Sequence, residues 1–114
     1  MVTSPLTTHV LDTSTGRPAR GVAVRLERRN GEGFSELARS ATNDDGRVPD
    51  LLAPGTLEAG GYRLNFAIGA YFAADGRTSF YPEVTIDFEV TRPSEHHHVP
   101  LLVSPFGYST YRGS

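Results

Sequence analysis

The sequence predicts an all-β sandwich or barrel. Three observations lead there. Residues 84–90, Val-Thr-Ile-Asp-Phe-Glu-Val, alternate apolar and polar without a fault, as a half-buried strand does. Shorter period-two runs recur before and after it. Turn signals separate the runs: Thr15-Gly16-Arg17-Pro18, Asn30-Gly31-Glu32-Gly33, Asp44-Asp45-Gly46 and Asp75-Gly76.

Leu6 to Asp12 is the first candidate strand. Val22, Val24 and Leu26 alternate with Ala23, Arg25 and Glu27 in the second, and Phe34 to Ala41 gives a weaker third. Pro49, Pro54 and Gly55 mark a loop. Tyr62, Leu64 and Phe66 alternate with Arg63 and Asn65. The Ala-rich stretch Ala67 to Ala74 breaks the pattern: it has no internal turn pair and ends at Asp75-Gly76. It reads as a short helix with Gly76 beyond its C-cap. Val99, Leu101 and Val103 form the last clear period-two set.

Composition narrows the chemistry. At 114 residues one domain, 1–114, is expected, with a core small enough that oligomerisation would help. A net charge of −2 gives no reason to expect nucleic acid as a partner. All 11 basic residues are Arg, so no Lys is present to form a Schiff base. The absence of Cys removes thiol catalysis, disulfides and thiolate metal sites. No signal-like or membrane-length apolar run is visible, and a cytoplasmic, bacterial protein with no membrane partner is expected. The sequence has no Gly-rich phosphate loop, no G-x-S-x-G and no H-E-x-x-H.

Strand parity sorts the remaining candidates. Histidine is the side chain that titrates near neutrality, and this chain has four. If Val10 packs inward with Thr8, then Thr7, His9 and Leu11 face outward. If Val99, Leu101 and Val103 face inward, then His96, His98, Pro100 and Leu102 face outward, and His97 sides with the core. Each outward histidine thus has an outward leucine near it, as an oligomer interface or a pocket on the sheet would require. The plainer readings are a solvated triplet at His96 and His97, a surface charge at Arg47, ordinary strand residues at Thr7 and Thr8, and a turn hydrogen bond at Asp12. An i, i+2 histidine pair can bind a metal, but no third ligand cluster accompanies it, so no metal site is expected. The final run, Tyr108-Ser109-Thr110-Tyr111-Arg112-Gly113-Ser114, is polar and aromatic directly after an apolar strand, which suggests a tethered terminus rather than a frayed one.

Two stretches carry a family resemblance. Leu6-Thr7-Thr8-His9-Val10-Leu11-Asp12 followed by Gly16-Arg17-Pro18-Ala19, and the run from His98 through Ser104-Pro105-Phe106-Gly107 to Tyr111-Arg112-Gly113-Ser114, resemble the terminal signatures of the 5-hydroxyisourate hydrolases. These are the transthyretin-related enzymes of urate breakdown. Asp45-Gly46-Arg47 and Phe80-Tyr81-Pro82-Glu83-Val84 fall between them in the family's order.

The resemblance implies a transthyretin-like sandwich of two sheets and about eight strands, with one short helix near residues 67–75. It also implies a homotetramer with active sites in the channel between dimers. The family's catalytic set falls on His9, Arg47, His98 and Ser114, with Tyr111, Arg112 and Gly113 binding a purine-derived small molecule; no cofactor is implied. His97 stands where the family often has an aromatic. The implied reaction opens 5-hydroxyisourate with water, the His9/His98 pair supplying the base and Arg47 a cation for developing charge; Ser114 would act through its hydroxyl or a terminal carboxylate. The rival reading is a transthyretin-like carrier of a small aromatic ligand, which has no obvious need for two imidazoles and a guanidinium.

Overall fold

The computed structural model describes residues 4–114, and in it nine strands and one helix form two facing sheets. The strands are β1 (Leu6–Asp12), β2 (Arg17–Pro18), β3 (Ala23–Asn30), β4 (Gly33–Ala41), β5 (Arg47–Val48), β6 (Gly60–Phe66), β7 (Val84–Val90), β8 (His97–Ser104) and β9 (Gly107–Thr110). Helix α1 (Ile68–Ala74) lies between β6 and β7.

One sheet runs β4-β3-β6-β7, antiparallel throughout. The other runs β2-β1-β8-β9, with β5 also paired to β1. Its central pair is parallel: β1 and β8 run side by side from Leu6↔His97 to Asp12↔Val103. The nine strands agree with the expected sandwich of about eight; β2 and β5, each two residues long, are too short to leave a period in the sequence.

Period-two burial explains why these segments are strands. Along β1 burial alternates strictly, with Leu6, Thr8, Val10 and Asp12 inward. Val24 and Leu26, Leu64 and Phe66, Val84 and Ile86, and Val99, Leu101 and Val103 meet them from the other strands. Burying each large apolar side chain contributes about 1.5–3 kcal/mol relative to exposure. Helix α1 buries Ile68 and Phe72, one helical turn apart, against this core. Gly69 lets the helix approach the chain after it: its N–H donates to the Pro82 carbonyl at 2.9 Å, where a Cβ would clash with Pro82.

Two of the plainer readings are corrected. His97 is buried, as its parity predicts, rather than solvated, and its Nδ1 donates to the Glu95 carbonyl at 2.9 Å. Asp12 does more than close a turn. Its carboxylate is fully buried and accepts hydrogen bonds from the Ser14 N–H at 3.0 Å, the Tyr71 hydroxyl at 2.9 Å and Arg77 Nη2 at 2.7 Å. Burial pushes its carboxyl upward, but the bonds from Ser14, Arg77 and Tyr71 outweigh it and hold the group below the usual carboxylate range. The cluster ties β1 to α1 and to the segment after it.

Candidate functional site

The site is built on the outer face of the five-stranded sheet. Thr7, His9 and Leu11 of β1 face outward, as do His98 and Leu102 of β8. The parallel register sets Thr7 opposite His98, His9 opposite Pro100 and Leu11 opposite Leu102. His9 and His98 therefore sit on adjacent strands and one face, as their parity predicts.

Arg47 joins them from the far side of β1. Strand β5 pairs antiparallel with β1, and Arg47 stands opposite His9. A tight turn delivers it there. Asn43 Oδ1 accepts from the N–H groups of Asp45 and Arg47, both at 3.0 Å, and the Gly46 N–H donates to the Asn43 carbonyl at 2.9 Å. Gly46 adopts φ +74° and its carbonyl accepts the Val10 N–H at 2.7 Å. A Cβ at Gly46 would collide with the Val10 carbonyl oxygen and crowd Pro18, so the turn requires glycine. Asn43 is a positioning residue that the sequence reading missed. Its signal was an Asn opening an Asp-Asp-Gly turn, where an Asx turn is favoured.

The terminal run closes the site from the β8 side. After β9 the chain turns back, and the Gly113 N–H donates to the His98 carbonyl at 2.8 Å. A Cβ on Gly113 would stand 2.6 Å from His98 Cδ2, so only glycine lets the backbone lie against that ring. Tyr111 and Arg112 line a cavity of about 290 Å³ with His97, His98, Thr110 and residues of β7. Arg112 is held by Glu95, Nη2 to carboxylate oxygen 3.2 Å. Tyr111 is 60% exposed and Ser114 is exposed beside Gly113, so this end of the site stands open in the single chain. A larger cavity, about 540 Å³, lies elsewhere between Arg17, Ala67, Tyr71 and Arg77, and none of the histidines borders it.

Electrostatics shift both imidazoles in the same direction. Partial burial lowers the pKa of His9, and the Arg47 cation lowers it further, against an opposing pull from Asp45. Burial and then Arg47 likewise depress His98; Thr7 pulls the other way, and His9 and His96 add to the depression. Both rings are thereby kept neutral at physiological pH, with a lone pair for a proton. Two neutral imidazoles and a guanidinium on one face can activate water and stabilise an oxyanion. Among the described residues no cluster of three or more His, Asp or Glu side chains is arranged to hold a metal ion.

Thr7 is the second residue that the sequence reading passed over. Its Oγ1 lies 2.9 Å from His98 Nδ1 and 3.0 Å from His96 Nε2. Only the parallel β1–β8 register brings them together, and a threonine in a strand gives no hint of it.

Comparison with known proteins identifies close relatives. The model of the HIUase/Transthyretin family matches residues 6–113. A 5-hydroxyisourate hydrolase of Caulobacter vibrioides is 54% identical over 97% of this chain and 99% of its own. One from Mus musculus is 49% identical over 97% of this chain and 96% of its own. Among solved structures, Klebsiella pneumoniae 5-hydroxyisourate hydrolase is 47% identical with a TM-score of 0.83, covering 100% of this chain and 94% of that one. Sea bream transthyretin in complex with thyroxine is 30% identical with a TM-score of 0.90, covering 96% and 95%.

Proposed function

This chain belongs to the HIUase/Transthyretin family, and on that premise we propose that it hydrolyses 5-hydroxyisourate to 2-oxo-4-hydroxy-4-carboxy-5-ureidoimidazoline. The observation that carries this reading is the convergence of His9, Arg47, His98 and Gly113 on one sheet face. Its relatives named as hydrolases reach 54% identity, against 30% for the thyroxine-binding transthyretin, which favours the enzyme over the carrier.

The chemistry follows from the groups present. Water adds to the ring carbonyl carbon while its proton passes to an imidazole of the His9/His98 pair. The second imidazole orients the water or the substrate. Negative charge develops on the carbonyl oxygen, which Arg47 faces with a fixed fork of donors. As the carbon–nitrogen bond breaks, the protonated imidazole returns the proton to the departing ring nitrogen. A carboxylic acid and a ureido N–H result, so water is consumed and no cofactor is needed. Tyr111 walls the pocket, Arg112 and the Gly113 backbone orient substrate, and the Ser114 hydroxyl contacts its polar edge.

Residues 1–114 act in this reading as a single transthyretin-like hydrolase domain that assembles as a homotetramer, with sites formed between subunits. The half-buried outward Leu11 and Leu102, the open Tyr111, and Phe80 and Phe106, each 70% exposed, support an interface across the site.

The test is a coupled assay. Urate and urate oxidase generate 5-hydroxyisourate in place, and its ultraviolet absorbance is followed with and without the protein. Decay accelerates with the wild-type protein and slows by about a hundredfold to ten-thousandfold in His98→Ala and in His9→Ala. A folded wild-type protein that leaves the decay unchanged refutes the activity; full turnover in both variants refutes the residue assignment.

A further inference from the structure

We propose that Thr7, backed by His96, holds His98 in the tautomer whose Nε2 lone pair is free, making His98 the general base of the pair and Thr7 its positioning residue. This rests on the hydrolase reading and divides the work between two histidines that the reading leaves joint.

The geometry is a three-membered chain. Thr7 Oγ1 lies between His98 Nδ1, at 2.9 Å, and His96 Nε2, at 3.0 Å. Thr7 and His98 share the outward face and stand opposite each other in the parallel register. A hydroxyl carries one proton and two acceptor lone pairs, so Thr7 cannot donate to both rings. If it donated to His98, the neutral ring would carry its proton on Nε2 and offer water no base. If His98 donates from Nδ1, the Thr7 proton is free for His96 and the Nε2 lone pair is left for water.

One feature favours the second arrangement. His96 is exposed and Nε2 gives the Thr7 proton a destination, which polarises the hydroxyl and makes its oxygen a better acceptor for His98. In histidine generally, the hydrogen bond at one ring nitrogen fixes what the other can do. Among the described residues no hydroxyl links His9 to a second imidazole as Thr7 links His98 to His96, and His9 is left to orient water or substrate.

The experiment reads tautomer and turnover together. Protein labelled with ¹⁵N-histidine contains four imidazoles, and single replacements assign them. At neutral pH His98 is expected to show a protonated Nδ1 and an unprotonated Nε2. Thr7→Val, nearly the same shape, mixes the two tautomers and lowers kcat for 5-hydroxyisourate by about ten- to a hundredfold with KM little changed. Thr7→Ser restores both the spectrum and kcat. His96→Ala, at an exposed position, shifts both readouts in the same direction by less, and serves if Thr7→Val does not fold. A wild-type His98 protonated on Nε2, or wild-type kcat in Thr7→Val, overturns the proposal. A wild-type protein that leaves 5-hydroxyisourate untouched, while its His98 tautomer still responds to Thr7→Val, refutes the activity and upholds the tautomer control.

Discussion

His9 and His98 are tuned by the same two causes, burial first and the Arg47 cation second. The direction of the shift fixes the pH behaviour. Each ring stays neutral below the ordinary imidazole value of 6.5, so the acid limb of kcat/KM is expected below pH 6.5. Stability follows the same sign. Below 6.5 the unfolded chain takes up protons that the folded rings refuse, so their contribution is complete above 6.5 and declines as pH falls through the lowered values. A rate profile from pH 5 to 8 checks the first point, and an acid limb centred above 6.5 would contradict it. At this scale the sequence was readable where side-chain direction depends on parity alone. His9, Leu11, His98 and Leu102 face outward as expected. Thr7 was not readable, because its role depends on a partner strand about ninety residues away, and local alternation carries no register.

The strands and turns decide where those side chains meet. The long strands and the helix followed from period, Pro and Gly: β1, β7 and α1 lie where alternation and the Ala-rich stretch put them. The two-residue strand β5 left no period, yet it carries Arg47 to His9. Its support is the Asn43–Gly46 turn. Gly46→Ala is expected to destabilise the fold by about 1–3 kcal/mol through backbone strain. It should also lower turnover by displacing Arg47. Thermal melting and the hydroxyisourate assay read the two effects, and unchanged turnover would separate the turn from the site. The Asp12 cluster anchors the other end of β1. Asp12→Ala removes several charge-assisted hydrogen bonds and is expected to cost about 3 kcal/mol. Because the folded Asp12 pKa is depressed, its contribution is present above the ordinary carboxylate range and is lost as pH falls through the lowered value. The wild type should therefore lose its advantage over Asp12→Ala in strong acid; an advantage that persists there would deny the carboxylate its part. Arg77, one of the three residues that donate to Asp12, gave no sequence signal, since an Arg after Asp75-Gly76 looks like any surface charge.

At the scale of the molecule, the open end of the site is the main feature. A hydroxyisourate hydrolase and a transthyretin in complex with thyroxine share this sandwich, so the fold alone does not choose between the two activities. If sites form between copies, activity and assembly should fall together on dilution. Light scattering alongside the rate measurement tests this, and a fully active monomer would place the whole site within one chain. Among the described residues no helix is long and apolar enough to cross a membrane.

The parallel pairing of β1 with β8 has a consequence in time. His9 emerges from the ribosome about ninety residues before His98, yet they must lie on neighbouring strands. Closing so long a loop is entropically slow, and contacts between distant parts of a chain are the late step in folding β proteins. The early strand must wait with the edge that meets β8 unpaired until residues 97–104 have been made. A product cut short before residue 97 lacks the partner strand and the second imidazole, so incomplete synthesis yields chains in which His9 stands alone.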